Sequence, residues 1–400
     1  MEIRSVTLFC EPAFSPGRAR SFFEATAGRF PYPLQTRRVA LPPFPDWWTS
    51  EHDGGDLVQT WKSLGADYLS AGPVLLRHGA RWLDHLPTLL GREDALFASA
   101  EVADTAGHVD IERAHAVAGV IRQASTIQPD GFGNLYFTAS ANCPPGSPFF
   151  PVAYHSGGAA HFALAVEAAD LATEAIGNAT SLEDAQRALV AALEGAAARL
   201  TAAAEPLAEE LGIAFSGIDF SLAPFPEERR SLAAAMEALG LSHIGAAGSL
   251  FAAAFIADAI GRAAIPRCGF SGLMFPVLED NVLAARASAG KAGLSDLLSY
   301  AAVCGAGLDT VPLPGDVSTD VLAAILLDVS GLALRLNKPL TARLMPLPGL
   351  AAGDPVHFDF PYFADSRVLA AGGTGTSGLL REGRVISVSP YQHQVRFAAT

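Results

Sequence analysis

Carboxylates and a histidine lie within or just after several strand-like runs of this 400-residue chain, where an α/β protein presents its chemistry. Asp219 lies in the run GIDFSL, Asp309 lies in GLDTVPL, and His155 ends FFPVAYH. A buried carboxylate is costly unless it is paired, and an imidazole titrates near neutral pH. We therefore predict that the two aspartates transfer protons or orient a ligand and that His155 is a general acid or base. The alternatives are internal ion pairs and a non-catalytic histidine at a helix start.

Basic residues that could hold an anion lie near the C-terminal third of the chain. Arg343 interrupts the apolar run LTARLMP, and Lys338 stands between Asn337 and Pro339. Arg343 is also the natural partner for one of the buried aspartates. Together with Lys338 it is predicted to bind a substrate carboxylate or phosphate.

The turn GFSG contains Ser271 and Gly272. Its spacing differs from the Gly-x-Ser-x-Gly turn of a nucleophilic serine, and the run that follows reads as a strand and not as a helix. We instead predict that Ser271 and Gly272 offer backbone N–H groups to an anionic ligand.

Four cysteines occur in the chain, and no two of them form a Cys-x-x-Cys pair. A zinc ribbon or a thioredoxin-type redox site is therefore not expected. Cys304 stands beside Gly305 and close to Asp309, so it is a candidate nucleophile or radical carrier. The alternative is a small buried residue that fills core space.

Three further acids, Glu279, Asp280 and Asp316, offer the hard oxygen ligands that Mg²⁺ or Ca²⁺ prefers, so a divalent cation is a candidate cofactor. No nucleotide or flavin motif is found. The Gly-rich string GTGTSG at residues 373–378 does not lead from a strand into a helix.

Charge and hydropathy exclude some classes of partner. The net charge of −14 and the pI near 5.1 leave no basic stripe for nucleic acid. The apolar stretches are too short or too interrupted for a membrane span. The first residues lack a charged leader followed by an apolar segment, so we expect a cytoplasmic protein.

Helical and strand-like patterns alternate along the chain, which predicts an α/β fold in a single domain covering residues 1–400. Strands are predicted at residues 2–9, 35–40, 68–72, 132–141, 215–222, 269–276 and 340–346. The long helices are predicted at residues 161–176, 182–211 and 318–334. A Pro/Trp-rich loop is expected near residues 42–53 and a flexible loop near residues 370–378.

Five segments in collinear order resemble the domain-of-unknown-function 711 family: PFFPVAYH (148–155), SGIDFSLAPFP (216–226), CGFSGLMFPVLEDN (268–281), CGAGLDTVPLPGD (304–316) and LNKPLTARLMPLPGLAAGD (336–354). The resemblance implies a ten-stranded α/β barrel similar to that of pyruvate formate-lyase, with helices outside and a functional cavity inside. It also implies a homodimer. Radical chemistry is not implied, because Ser387 in RVISVSPY stands where the glycyl radical would be needed.

These observations predict an enzyme that acts on a small polar, anionic metabolite by non-redox acid–base chemistry of the lyase, hydrolase or transferase type. The alternative is a non-catalytic regulatory protein that binds a small ligand on the same barrel.

Overall fold

The computed structural model describes residues 1–48 and 54–391, in which helices and strands alternate as predicted. The strands are Glu2–Phe9 (β1), Leu34–Ala40 (β2), Tyr68–Val74 (β3), Leu96–Ala103 (β4), His108–Asp110 (β5), Phe137–Ala141 (β6), His161–Glu167 (β7), Ala214–Asp219 (β8), Gly307–Pro314 (β9), Leu340–Leu347 (β10), Pro355–Val356 (β11), Ser366–Arg367 (β12) and Val385–Ser387 (β13).

The α-helices of the same residues include both long helices and single turns. They are Pro16–Thr26 (α1), Phe44–Trp47 (α2), Gly54–Ser63 (α3), Leu86–Leu90 (α4), Ile111–Ala124 (α5), Ala169–Gly177 (α6), Leu182–Leu211 (α7), Leu232–Ala238 (α8), Ser249–Arg262 (α9), Asn281–Ser288 (α10), Leu294–Ala301 (α11), Thr319–Leu336 (α12) and Leu379–Glu382 (α13). Short 3-10 helices cover Ala80–His85, Phe132–Tyr136 and Glu228–Arg230.

One large, mostly parallel sheet organises the molecule, and the helices lie around it. Its strand order is β8-β7-β1-β2-β3-β4-β6-β10-β9. β1, β2, β3, β4 and β6 run parallel to one another, β7 runs parallel to β8, and β9 runs parallel to β10. The groups meet at two antiparallel junctions, β1 with β7 and β6 with β10. The predicted mixed α/β class is therefore confirmed.

Residues 267–276 lie between the two end strands of this sheet without forming a regular strand, so the strand predicted at residues 269–276 was wrong. Isolated bridges join Ile218 to Arg267 and Pro276 to Asp309. The backbone adopts positive φ at Gly269 (60°) and Ser271 (41°). A left-handed backbone interrupts a ladder, because the extended conformation is lost at those residues.

Local capping explains why the two longest helices begin where they do. Ser181 Oγ accepts a hydrogen bond from the backbone N–H of Asp184 at 3.1 Å and caps α7. Ser318 Oγ caps α12 in the same way through Val321 N–H at 3.2 Å. The helix predicted at residues 182–211 is confirmed, and the one predicted at 318–334 is confirmed with an end two residues later.

The helix predicted at residues 161–176 was wrong in its first half. The segment begins as strand β7 and becomes helix α6 only at Ala169. The alanines of HFALAVEAA favour a helix locally, but pairing of β7 with both β1 and β8 overrides that preference.

A long connection between β6 and β7, residues 142–160, is largely buried and is called here the interior loop. Ser70 Oγ donates to the carbonyl of Ala153 at 2.6 Å, and the backbone N–H of His155 donates to the carbonyl of Leu41 at 3.0 Å. These bonds fasten the interior loop to the residue after β2 and to the first half of β3.

The two loops predicted from composition lie near residues 42–53 and 370–378. In the Pro/Trp-rich loop near residues 42–53, Phe44–Trp47 forms one helical turn, and residues 49–53 lie outside the described residues. Residues 370–378 carry no helix or strand.

No helix of the described chain combines the length and apolar character needed to span a bilayer.

Candidate functional site

A cavity of about 110 Å³ lies between the amino ends of β1 to β4 and the carboxyl ends of β7 and β8. We call it the arginine cavity, because the side chains of Arg4, Arg38 and Arg343 line it. Glu279 and Asp309 also line it. Its remaining wall includes seven aromatic side chains, two of which come from the interior loop. Charged groups and aromatic side chains around one concave space are typical of a small-molecule site.

Arg343 and Asp309 come from neighbouring parallel strands, β10 and β9. Arg343 Nε donates to Asp309 Oδ1 at 2.5 Å, and Nη1 donates to the carbonyl of Leu135 at 3.2 Å. Burial opposes the charge of Arg343, but the carboxylate of Asp309 outweighs it and raises the pKa of Arg343. Burial also raises the pKa of Asp309, although Arg343 opposes that shift. Both groups are therefore held in one geometry, and Asp309 is easier to protonate than an ordinary aspartate.

Glu279 joins this pair to a second arginine. One of its oxygens, Oε1, lies 3.8 Å from Arg343 Nη2, and the other accepts a hydrogen bond from Arg4. Arg4 also lies 3.4 Å from Glu167 Oε2, which in turn pairs with Arg230. These charges balance one another across the cavity, as buried ions must.

Arg38 is the exception among the arginines that line the cavity. Its Nε donates to Thr36 Oγ1 at 2.9 Å, and its guanidinium lies over the rings of Tyr68 and Phe150, with centroid distances of 5.6 and 5.0 Å. No carboxylate of residues 1–48 or 54–391 forms a salt bridge with it. Burial, and then the charge of Arg4, lowers the pKa of Arg38 to about 9. An anion in the cavity would oppose both effects and favour the charged form of Arg38.

Asp219 lines the cavity, but its carboxylate is occupied by the protein itself. Oδ2 accepts a hydrogen bond from the N–H of Phe270 at 2.9 Å, and Oδ1 accepts one from the N–H of Ser271 at 2.9 Å and one from Ser221 Oγ at 2.5 Å. Burial raises the pKa of Asp219 despite these bonds. The carboxylate fixes the turn at residues 269–272.

The backbone donors that were predicted to meet a ligand are therefore used inside the protein. Ser271 N–H binds Asp219, and Gly272 N–H donates to Ser221 Oγ at 3.4 Å. Ser271 Oγ donates to the carbonyl of Cys268 at 2.9 Å and accepts from the N–H of Phe220 at 3.1 Å.

His155 lies in the interior loop and is not among the residues that line the arginine cavity. It is fully buried, and neither ring nitrogen makes a hydrogen bond of ordinary geometry to a described residue. Glu11 Oε1 lies 4.0 Å from Nε2, and the ring of His161 is 5.4 Å away between centroids. Burial lowers the pKa of His155. The arginine cavity is thus lined by Asp219 and Asp309 but not by His155.

Cys304 and Lys338 lie together, away from the cavity. Cys304 is buried in the core, and burial raises the pKa of its thiol. Lys338 Nζ donates to the carbonyl of Ala301 at 3.1 Å and also to the carbonyl of Cys304. Lys338 therefore satisfies carbonyls at the end of α11, where a cation is favourable.

The three acids suggested for a metal ion are dispersed. Glu279 faces the arginine cavity, whereas Asp280 caps α10 and accepts hydrogen bonds from Ser231 Oγ at 2.6 Å and from Leu283 N–H at 3.1 Å. Asp316 is exposed on the turn after β9. Within the described part of the chain, no three His, Cys, Asp or Glu side chains are grouped to hold a metal ion.

Arg4, Arg38 and Glu167 were missed by the sequence reasoning. Arg4 lies in the alternating strand EIRSVTLF and Arg38 in the largely polar strand LQTRRVA, whereas Arg343 interrupts the buried strand LTARLMPL. A charged residue inside a strand of a two-sided buried sheet is unusual. The signal that identified Arg343, an arginine in an apolar run, is therefore weak for Arg4 and does not distinguish Arg38 from its neighbour Arg37.

The comparisons with known proteins identify a family but name no activity. A family model described as "Uncharacterised ACR (DUF711)" matches residues 17–360. A UPF0210 protein of Pyrobaculum arsenaticum is 36% identical over 327 residues, covering 79% of this chain and 70% of the relative. Those of Methanopyrus kandleri and Neisseria meningitidis are 31% and 25% identical, covering 74% and 83% of this chain and 69% and 78% of the relatives. With most of its length matched by the family model, the chain belongs to the uncharacterised DUF711 family.

Proposed function

We propose that this protein binds a small anionic metabolite in the arginine cavity and acts on it by non-redox acid–base chemistry. One observation carries the proposal: Arg38 is a guanidinium that lines a partly open cavity without a carboxylate partner among the described residues. A cation in such surroundings is unfavourable unless an anion completes it. The ligand would supply that charge.

Asp309 and Glu279 are the groups proposed to move protons. Both line the cavity, and burial raises the pKa of Asp309 while Arg343 fixes its orientation. A carboxylate with a raised pKa is a better acid–base group near neutral pH than an ordinary one. A lyase, hydrolase or transferase reaction would need no more than such a pair and a held anion.

A second candidate is a non-catalytic regulatory protein that binds the same kind of ligand. It is favoured by the pairing of each carboxylate at the cavity: Glu279 binds arginines, Asp309 binds Arg343, and Asp219 binds backbone N–H groups. Carboxylates so engaged hold a shape well and transfer protons poorly.

We further propose that residues 267–276 complete a ten-stranded barrel of the pyruvate formate-lyase type and that two copies form a homodimer. The support for closure is the set of isolated bridges that this segment makes to Ile218, Leu222 and Asp309, next to both end strands of the sheet. The support for the homodimer is the family resemblance alone.

The test is calorimetric titration of the purified protein with acetate, benzoate and inorganic phosphate. At least one of these anions is expected to bind, with a dissociation constant at least ten-fold weaker in Arg38→Gln. The matched control is Arg37→Gln, which removes the neighbouring guanidinium on the opposite face of β2, where Arg37 Nε donates to Thr26 Oγ1. Equal binding by wild type and Arg38→Gln would contradict the anion site.

Turnover is tested separately, by incubating wild type and Asp309→Asn with a pool of small carboxylate and phosphate metabolites and measuring products by mass spectrometry. Conversion by the wild type that falls at least a hundred-fold in a folded Asp309→Asn supports the enzyme. Binding without conversion by the wild type supports the regulatory protein.

A further inference from the structure

We infer that the anion taken by the arginine cavity is a monocarboxylate joined to a flat aromatic ring. This inference rests on the proposed function, since it names the class of ligand for the same site. It depends on where the rings of the cavity wall lie relative to Arg38.

Four aromatic side chains form a continuous wall on one side of the cavity. The ring of Phe97 lies 5.3 Å from Tyr68, 5.1 Å from Tyr136 and 5.3 Å from Phe150, each measured between centroids. All three contacts are edge-to-face, with interplanar angles between 66° and 74°. All four residues line the arginine cavity. Rings of this kind offer a further ring the offset or edge contacts that aromatic groups prefer.

Arg38 joins that wall to the charged part of the cavity. Its guanidinium lies over Tyr68 and over Phe150, which belong to the wall. A carboxylate paired with Arg38 therefore places the group attached to it next to the four rings. Three further aromatic side chains, Phe149, Phe360 and Tyr362, also line the cavity. The group attached to that carboxylate therefore meets a largely aromatic surface.

The charges in the cavity favour one negative charge over two. Arg4 already pairs with Glu167 and Glu279, and Arg343 pairs with Asp309 and Glu279. Arg38 is left with one unmatched positive charge, which a carboxylate neutralises with its two oxygens against the planar guanidinium. The second charge of a phosphate dianion would face Glu279 and Asp309, which repel it.

The size of the cavity fits a small molecule of this kind. Its volume of about 110 Å³ is well below the roughly 300 Å³ at which sites for drug-sized ligands begin. This volume is nearer to that of a single ring with a carboxylate than to that of a nucleotide.

The inference is tested with benzoate and cyclohexanecarboxylate, which carry the same anion on rings of equal atom number, one flat and one puckered. We expect calorimetry of the wild type to give a dissociation constant about five-fold tighter for benzoate, within the range that aromatic pairing contributes. Phe97→Leu should remove that preference while Arg38→Gln weakens both ligands. Phe251→Leu, at an exposed site on α9, is the control and should change neither.

The outcomes separate this inference from the proposed function. Equal affinity for the two ring acids, or tighter binding of inorganic phosphate, overturns the aromatic monocarboxylate while an Arg38-dependent anion site stands. A preference that survives in Phe97→Leu also overturns it. Failure of every anion to bind the folded wild type overturns the proposed function itself.

Discussion

Arg343 and Asp309 form an ion pair between the adjacent parallel strands β10 and β9, with Nε and Oδ1 2.5 Å apart and both residues at most 5% exposed. A pair so deeply buried contributes little net stability when it is complete. Removing one partner destabilises the folded protein, because the other charge then remains in the core.

We therefore expect Asp309→Asn to lower the free energy of unfolding by at most about 3–5 kcal/mol, the usual range for breaking a buried pair, because Arg343 then depends on the more distant carboxylate of Glu279, at 3.8 Å. Urea unfolding of the purified protein measures this. The control is Asp258→Asn, which breaks the exposed pair of Asp258 with Arg262 on α9 and should lower stability by less than about 1 kcal/mol. Similar small losses for both variants would show that Arg343 is not isolated by the change.

Gly269 lies against Asp219 in the turn that this carboxylate fixes. A Cβ at Gly269 would come within 2.2 Å of Asp219 Oδ2, and its φ of +60° is itself unfavourable for alanine. Gly269→Ala should therefore lower the unfolding free energy by about 1–2 kcal/mol for the backbone and by about 1–3 kcal/mol more for the collision.

The matched control for that change is Gly290→Ala. Gly290 has a similar φ of +67°, but no atom lies within 4 Å of the added Cβ, so the control carries only the backbone term. Thermal or urea unfolding compares the two variants. Equal losses would mean that the carboxylate of Asp219 does not hold the turn rigidly.

Glu101 makes stability depend on pH. Its side chain is buried, Oε2 accepts a hydrogen bond from the N–H of Leu76 at 2.8 Å, and burial raises its pKa to about 7. The folded protein then binds more protons than the unfolded chain between about pH 4.3 and 7, so stability falls as pH rises through that range. With about 1.36 kcal/mol for each pKa unit, the loss is about 4 kcal/mol.

Glu101→Gln should therefore be more stable than the wild type at pH 8 and nearly equal to it at pH 4.5, as measured by urea midpoints at several pH values. Glu112→Gln, at an exposed position of α5, is the control and should follow the wild type. Parallel curves for all three proteins would contradict the burial of a protonated Glu101.

His155 provides a test of function that is independent of the arginines. Because it lies outside the arginine cavity, His155→Leu should change the affinity for benzoate less than two-fold. Burial lowers the pKa of His155, so the unfolded chain binds more protons just below pH 6.5, and the wild type loses stability on acidification there. The variant should lose less.

Calorimetry and urea unfolding at pH 5.5 and 7.5 measure the two effects on His155→Leu. A folded variant whose affinity falls ten-fold would place the histidine in the ligand site after all.

The sequence predicted the elements better than it predicted the site. β1 and α7 have the predicted bounds, because alternation and capping are local signals. β7 was predicted to be helical because its alanines favour a helix locally and do not indicate that the segment pairs with β1. Asp309 and Arg343 were found because each interrupts an apolar run and they meet on adjacent strands.

The rest of the site required knowledge of distant pairings. Arg4 and Glu279 are 275 residues apart in sequence, and nothing in either segment indicates the other. His155 was chosen for its chemistry alone, and local sequence does not show that the interior loop buries it behind the cavity. Lys338 was predicted to bind an anion, but in the structure it donates a hydrogen bond to a carbonyl at the end of α11.

The wide sequence separation of Arg4 from Glu279 and of Leu135 from Arg343 has a consequence for biosynthesis. A nascent chain must extend past Glu279 before Arg4 can pair with that carboxylate, and past Arg343 before the carbonyl of Leu135 gains its donor. Until then the charged side chains remain solvated and the aromatic side chains remain exposed. Closing such long loops is slow, so a ligand present during translation would bind and stabilise only chains that are nearly complete.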